Sequence, residues 1–202
     1  TNHILSKALP LMEIYTGESK EEFHRFLAGE AGKDGVSSNL YTTLPLYTIS
    51  EELFQNILER NHIPAEKQQM LLQELRREKD NFLQTLQSGS VEDRIPALSR
   101  EEYAEMPLAL SLSEAFYEHE ICCTYDEYLE HYHQTMAFAE HNPNYTVLSQ
   151  HTRIFRNIQI RIKHSERVVI SKNKSPVIHF VIRHPKMRKA IEDGLWQVLN
   201  EE

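Results

Sequence analysis

The stretch IQIRIKHSERVVISKNKSPVIHFVI, residues 158–182, decides how this chain folds. Ile158, Ile160 and Ile162 alternate with Gln159, Arg161 and Lys163, the period of a strand with one buried face. His164-Ser165-Glu166 then turns the chain into Arg167-Val168-Val169-Ile170-Ser171, so the two runs read as a hairpin. The run 177–182 is apolar on both faces except at His179, which places it inside a sheet. Pro185 opens a last helix, with Met187, Ala190, Ile191, Leu195, Val198 and Leu199 on one face.

Outward from this block the period becomes helical. Thr124 and Glu127 form a capping box ahead of Tyr125, Tyr128, Leu129, Tyr132, Met136 and Ala139, a helix that stops at Asn142-Pro143. Tyr145 to Leu148 follows as a strand candidate, and Ser99 with Glu102 caps a short helix stopped by Pro107. Pro64 opens a long helix to about residue 87, and Ser50 starts another over 50–61. Residues 19–28 read as a helix with Ser19 and Glu22 as its capping box, 29–39 as a loop, and 40–49 as a short strand or extended segment interrupted by Pro45. Residues 108–121 have no clear period.

The expected fold is therefore α+β: a mostly helical N-terminal two-thirds, then a small, largely antiparallel sheet closed by the C-terminal helix. One domain over 1–202 is expected, subdivided into a helical region, 1–107, and a helix-plus-sheet region, 108–202.

The chain carries 22 Lys/Arg, 30 Asp/Glu and a net charge of −8. That charge is unevenly spread: residues 151–202 hold 11 Lys/Arg against 5 Asp/Glu (+6), and residues 1–150 hold 11 against 25 (−14). Such asymmetry bears on partners and on internal docking rather than on fold. Cys122 and Cys123 are adjacent and make a poor disulfide framework; no apolar run has the length of a membrane span. The expectation is a cytoplasmic protein with no membrane contact.

Enzyme signatures are sparse. There is no glycine-rich phosphate loop, no G-x-S-x-G elbow and no H-E-x-x-H. Glu127, Glu130, His131 and His133 form facing pairs on the acidic helix, but no second Glu-x-x-His set completes a metal site, so no metal or other cofactor is expected. His184-Pro185-Lys186, with Asp193 beyond, shares residue types with the H-x-K-x-x-x-x-D signature of phospholipase D-like phosphodiesterases. The position that should be Asp is Ile191, and Pro185 should carry Lys186 away on a helix.

The basic cluster is more informative. Arg156, Arg161, Lys172, Lys174 and Arg183 lie on or beside paired strands, and the loop SKNKSP offers backbone donors as well. An anionic effector is expected on Arg156, Lys172, Lys174 and Arg183, with His179 on the inner strand and Tyr128 and Tyr132 of the acidic helix completing the set. The bland alternative is that these cations are solvated strand ends docked on the acidic body.

Two blocks carry a resemblance: LPLMEIYTGESKEEFHRFL, residues 9–27, and TYDEYLEHYHQTMAFAEHNPNY followed by FRNIQIRIKHSERVVISKNKSPVIHFVIRHPKMRKAIED. They resemble the C-terminal portion of bacterial helix-turn-helix (XRE-like) transcriptional regulators. The resemblance covers both ends of the chain and the middle, 40–110, only loosely. It implies a non-enzymatic regulatory and oligomerisation domain, a homodimer, and a DNA-binding domain lying before residue 1. The apolar helices 65–87 and 186–199 are then the dimer candidates. Two alternatives stay open: a phosphodiesterase using His184 and Lys186, and a dimerisation scaffold with no effector.

Overall fold

A computed structural model of the chain describes residues 10–30, 32–110, 120–151, 158–172 and 176–200. Among the described residues, seven strands and six α-helices are interspersed: β1 (Met12–Thr16), α1 (Lys20–Glu30), β2 (Gly35–Leu40), α2 (Glu51–Arg60), α3 (Ala65–Ser88) and β3 (Gly89–Pro96) come first. Then follow α4 (Arg100–Glu105), α5 (Tyr125–His141), β4 (Tyr145–Gln150), β5 (Ile158–Lys163), β6 (Arg167–Lys172), β7 (Ile178–Ile182) and α6 (Pro185–Asn200). All seven strands form one sheet in the order β1-β7-β6-β5-β2-β3-β4. The pairs β2–β3 and β3–β4 are parallel, and the remaining four are antiparallel.

The class α+β stands, but the small antiparallel sheet after a helical two-thirds is corrected. The sheet is large and mixed, and its strands are interspersed with helices from Met12 to Ile182. Three strands lie where no strand, or a misplaced one, is expected. β2 has the sequence GVSSNL inside the expected loop, while residues 41–45 carry no strand and Leu46–Thr48 is a short 3-10 helix. β3, GSVEDRIP, follows directly on Gly89, and β1 precedes the first helix. The cause is the environment of β2 and β3: they are interior strands whose polar residues face protein rather than water, so neither shows an apolar alternation.

Other elements follow their local signals. Ser50 Oγ accepts from Leu53 N, and the boxes Ser99–Glu102 and Thr124–Glu127 close reciprocally. Ser19 does not cap α1; its Oγ accepts from Thr16 N at 2.7 Å, and a 3-10 turn, Gly17–Ser19, leads into the helix. The hairpin β5–β6 turns through Ser165 in the left-handed region, φ 66°.

The sheet separates two layers. On one face Leu40, Ile160, Ile162 and Val168 pack against Leu195 and Leu199 of α6. On the other, α1 lays Phe23 on Val169 and Val181, and α3 lays Phe82 and Leu86 on Val91 and Tyr145. Beyond β2, helices α2 and α3 share a core of Leu53, Phe54, Ile57, Leu71 and Leu75. Most of the apolar stripe of α3 and the C-terminal half of that of α6 pack on their own domain, while Met70, Leu83 and Met187 stay exposed. The face under α1 and α3 also receives an unusual load of polar side chains, and the site is built there.

Candidate functional site

Strand alternation places Gln159, Arg161 and Lys163 of β5 on the α1/α3 side. The register sets Asn39 and Ser37 of β2 opposite Arg161 and Lys163, Asp93 of β3 beyond Asn39, and Arg167 of β6 opposite Lys163. The expectation that this polar face of β5 meets water is overturned: Gln159 is 2% exposed and Lys163 4%. Helix α3 closes the space with Glu78, Asn81, Phe82 and Thr85, which share one helical face by their three- and four-residue spacings. The last turn of α1 adds Leu27 and Glu30, and Lys33 follows. A cavity of about 110 Å³ remains between these elements and the sheet.

Its floor is a polar network around Asp93, which is 0% exposed. Tyr145 donates to its carboxylate at 2.6 Å, Asn39 at 2.8 Å, and Tyr47 donates as well. Burial pushes the Asp93 carboxyl above its ordinary range, against the pull of those three donors. The hydroxyls of Tyr41 and Tyr47 lie 3.1 Å apart, and burial pushes Tyr41 up to about 12. These phenols are donors, and they offer no nucleophile at neutral pH.

The wall is cationic and incompletely satisfied. Arg167 donates from Nε to Glu30 at 3.0 Å, and Lys33 donates to the same carboxylate at 3.0 Å. Burial alone would raise the Glu30 carboxyl; its bonds with Arg167 and Lys33 outweigh that and hold it below its ordinary range. Burial pulls the Arg167 guanidinium down, with Glu30 opposing. Arg161 lies over the Tyr41 ring, 5.9 Å from its centroid. Its Nε and the Nζ of Lys163 are both shut off from solvent with no hydrogen-bond partner among the described residues. Glu166 comes within 3.4 Å of Lys163 Nζ from the half-exposed side, without forming a hydrogen bond. Gly35, at φ +147°, leaves room for the Lys163 stem: a Cβ there would meet Lys163 Cε at 3.0 Å.

The described members of the expected effector set lie at separate places. Arg156 and Lys174 lie outside the described residues. Lys172 shares the face of Ile170, on the α6 side and opposite to Arg161. Arg183 bonds Glu13 at 2.7 Å and lies over Phe26. His179 stacks on Phe23 at 3.8 Å and its Nδ1 bonds Ser171 Oγ at 2.7 Å; burial, then the nearby charges of Arg161 and His24, lowers it to about 4. Tyr128 is tied into the core, accepting from Leu98 N at 2.9 Å and donating to the Pro96 carbonyl at 2.8 Å. Tyr132 bonds Ser149 at 2.6 Å. Among the described residues, none of these expected effector contacts lines the cavity; Arg161, from the same basic cluster, does.

Lys163, Arg167 and Asn39 join Arg161 there, although no motif or spacing marks them. The available signal was Gln159, Arg161 and Lys163 on a strand flanked by apolar strands, since such a strand is interior and its polar face must be buried. Lys186 is exposed in the first turn of α6, and His184 Nδ1 accepts from Met187 N at 3.4 Å; neither residue lines the cavity. No helix among the described residues is long and apolar enough to cross a membrane.

Comparison with known proteins finds no matching family model, no matching curated protein and no matching solved structure.

Proposed function

We propose that the chain is a non-enzymatic, effector-sensing domain of a helix-turn-helix transcriptional regulator, and that its effector is a small anion held between α1, α3 and the sheet. The observation that carries the anion is that Arg161 and Lys163 line the cavity, while Arg161 Nε and Lys163 Nζ are buried without a hydrogen-bond partner among the described residues. A buried charge without full pairing costs stability, and an anionic ligand supplies the missing partner. The regulatory role rests on the resemblance of residues 9–27 and of the C-terminal block to XRE-like regulators. In such a scheme the effector shifts the population of two domain arrangements, and DNA is read by a separate domain.

Thermal denaturation against a panel of small anions tests the reading. A binder at 100 times its dissociation constant adds about 2.7 kcal/mol, and Arg161→Gln should abolish that gain. A panel without any stabilising anion contradicts it.

A second reading, a dimerisation scaffold without effector, is favoured by the edge strand β1, where Met12 and Ile14 are 44% and 58% exposed, with Leu11 just before it 57% exposed. Sedimentation of Ile14→Lys beside the native chain tests it. A concentration-dependent dimer that the variant loses supports a second copy on this edge, and an unchanged sedimentation profile removes it.

A further inference from the structure

We propose that the effector is a compact phosphate-type dianion, free phosphate or a small phosphomonoester, and that it enters the cavity by displacing the Glu30 carboxylate from Arg167. This inference rests on the anion-sensing reading above. Charge sets the first limit. The cavity is lined by four cations, Lys33, Arg161, Lys163 and Arg167, and by two acids, Glu30 and Glu78. Glu166 beside Lys163 and Asp93 beneath the cavity offset part of that cationic excess, so the match to a phosphate group lies in its three acceptor oxygens, one for each of Arg161, Lys163 and Arg167, where a carboxylate offers two.

Size sets the second limit. About 110 Å³ is less than the roughly 150 Å³ of an apolar cavity that admits benzene. A space of that size holds one anionic group between the strands, and the remainder of a larger ligand extends through the open side of the cavity. Arg161 and Arg167 offer guanidinium donors on adjacent strands, and Lys163 adds an undirected point charge between them. Tyr41, Tyr47 and Phe82 give an aromatic border on which the carbon of an ester can rest.

Glu30 decides how the ligand gains entry. Its carboxylate already bonds Arg167 and Lys33, so it holds two of the four cations as a built-in competitor. It is also the last residue of α1, whose Phe23 and Leu27 pack on the sheet beside Val169 and Val181. A ligand that takes Arg167 releases the end of α1, and occupancy is thereby converted into a change at a helix terminus.

Isothermal titration calorimetry of the whole chain with inorganic phosphate, glycerol 2-phosphate and succinate, in chloride buffer, tests the proposal. Saturable binding of phosphate or of the ester is expected, weakened about tenfold or more in Lys163→Met and tightened severalfold in Glu30→Gln. Arg161→Gln provides a second variant on the same strand, and circular dichroism checks that each variant folds. A preference for the ester over free phosphate identifies an organic effector, and the reverse preference a phosphate sensor. Binding of succinate in preference to both overturns the dianion class but leaves an anion sensor standing. No heat with any of the three overturns the anion-sensing reading itself. Unchanged or weaker affinity in Glu30→Gln overturns the displacement.

Discussion

Asp93 shows how a single buried acid can be the hub of a polar network inside the fold. Three donors converge on it, and removing the carboxylate takes the acceptor from Tyr145 and Asn39 and leaves Tyr47 with the Tyr41 hydroxyl alone. A buried polar group left unsatisfied costs about 1–3 kcal/mol. Asp93→Ala is therefore expected to destabilise the chain by about 3 kcal/mol or more in urea unfolding, whereas Tyr145→Phe should cost less because Tyr47 and Asn39 still serve the carboxylate. Gly35 acts at the same scale through space and backbone. Its φ of +147° strains any other residue, and an added Cβ presses on Lys163 Cε. Gly35→Ala should lower stability by about 1–2 kcal/mol and weaken phosphate binding in a titration, because the ammonium it supports is displaced. A loss of stability with unaltered binding would detach Gly35 from the site.

At the scale of elements, the helices with complete end signals are the ones that local chemistry specifies. The Thr124–Glu127 box closes α5, and Thr124→Ala should cost about 1 kcal/mol, read as a lowered urea midpoint at constant slope. The same physics explains which elements could be read from the amino acids. α2, α3, α5, α6 and the β5–β6 hairpin announce themselves through caps, prolines and clean periods. β2 and β3 do not, because Ser37, Asn39 and Asp93 are polar residues facing a polar interior. An interior strand of this kind carries the composition of a loop. The site was half visible for a related reason. Arg161 stood out as a cation on a paired strand, but pairing register alone decides that Lys163 and Arg167 accompany it while Lys172 and Arg183 turn elsewhere. Register is a long-range property, and it depends on β2, a strand that periodicity does not disclose.

Across the whole molecule, burial of neutral imidazoles links folding to pH. His131 is 4% exposed, its Nε2 donates to the Pro45 carbonyl at 3.0 Å, and burial lowers its pKa from 6.5 to about 4. His179 is lowered to about 4 as well, mainly by burial. Between these values the unfolded chain binds the extra protons, so stability is complete above pH 6.5 and is lost as pH falls toward 4. A shift of that size in His131 alone corresponds to about 3 kcal/mol. Urea unfolding from about pH 7.5 to about 4.5 should show this decline, with a shallower slope in His131→Gln. A flat profile would mean that these rings ionise freely in the folded state.

The incompletely hydrogen-bonded cations of the cavity wall are also a property of the whole fold: on the anion-sensing proposal, the stability given up there returns when an anion binds. Urea unfolding of Lys163→Met beside the native chain, with and without phosphate, tests this most directly. Without phosphate the variant should be as stable as the native chain or more so, because a hydrophobic stem replaces a buried, incompletely paired charge. With phosphate the native chain should gain stability and the variant should not. A variant that is less stable than the native chain, yet gains as much from phosphate, would contradict the claim that Lys163 is held in reserve for an anion.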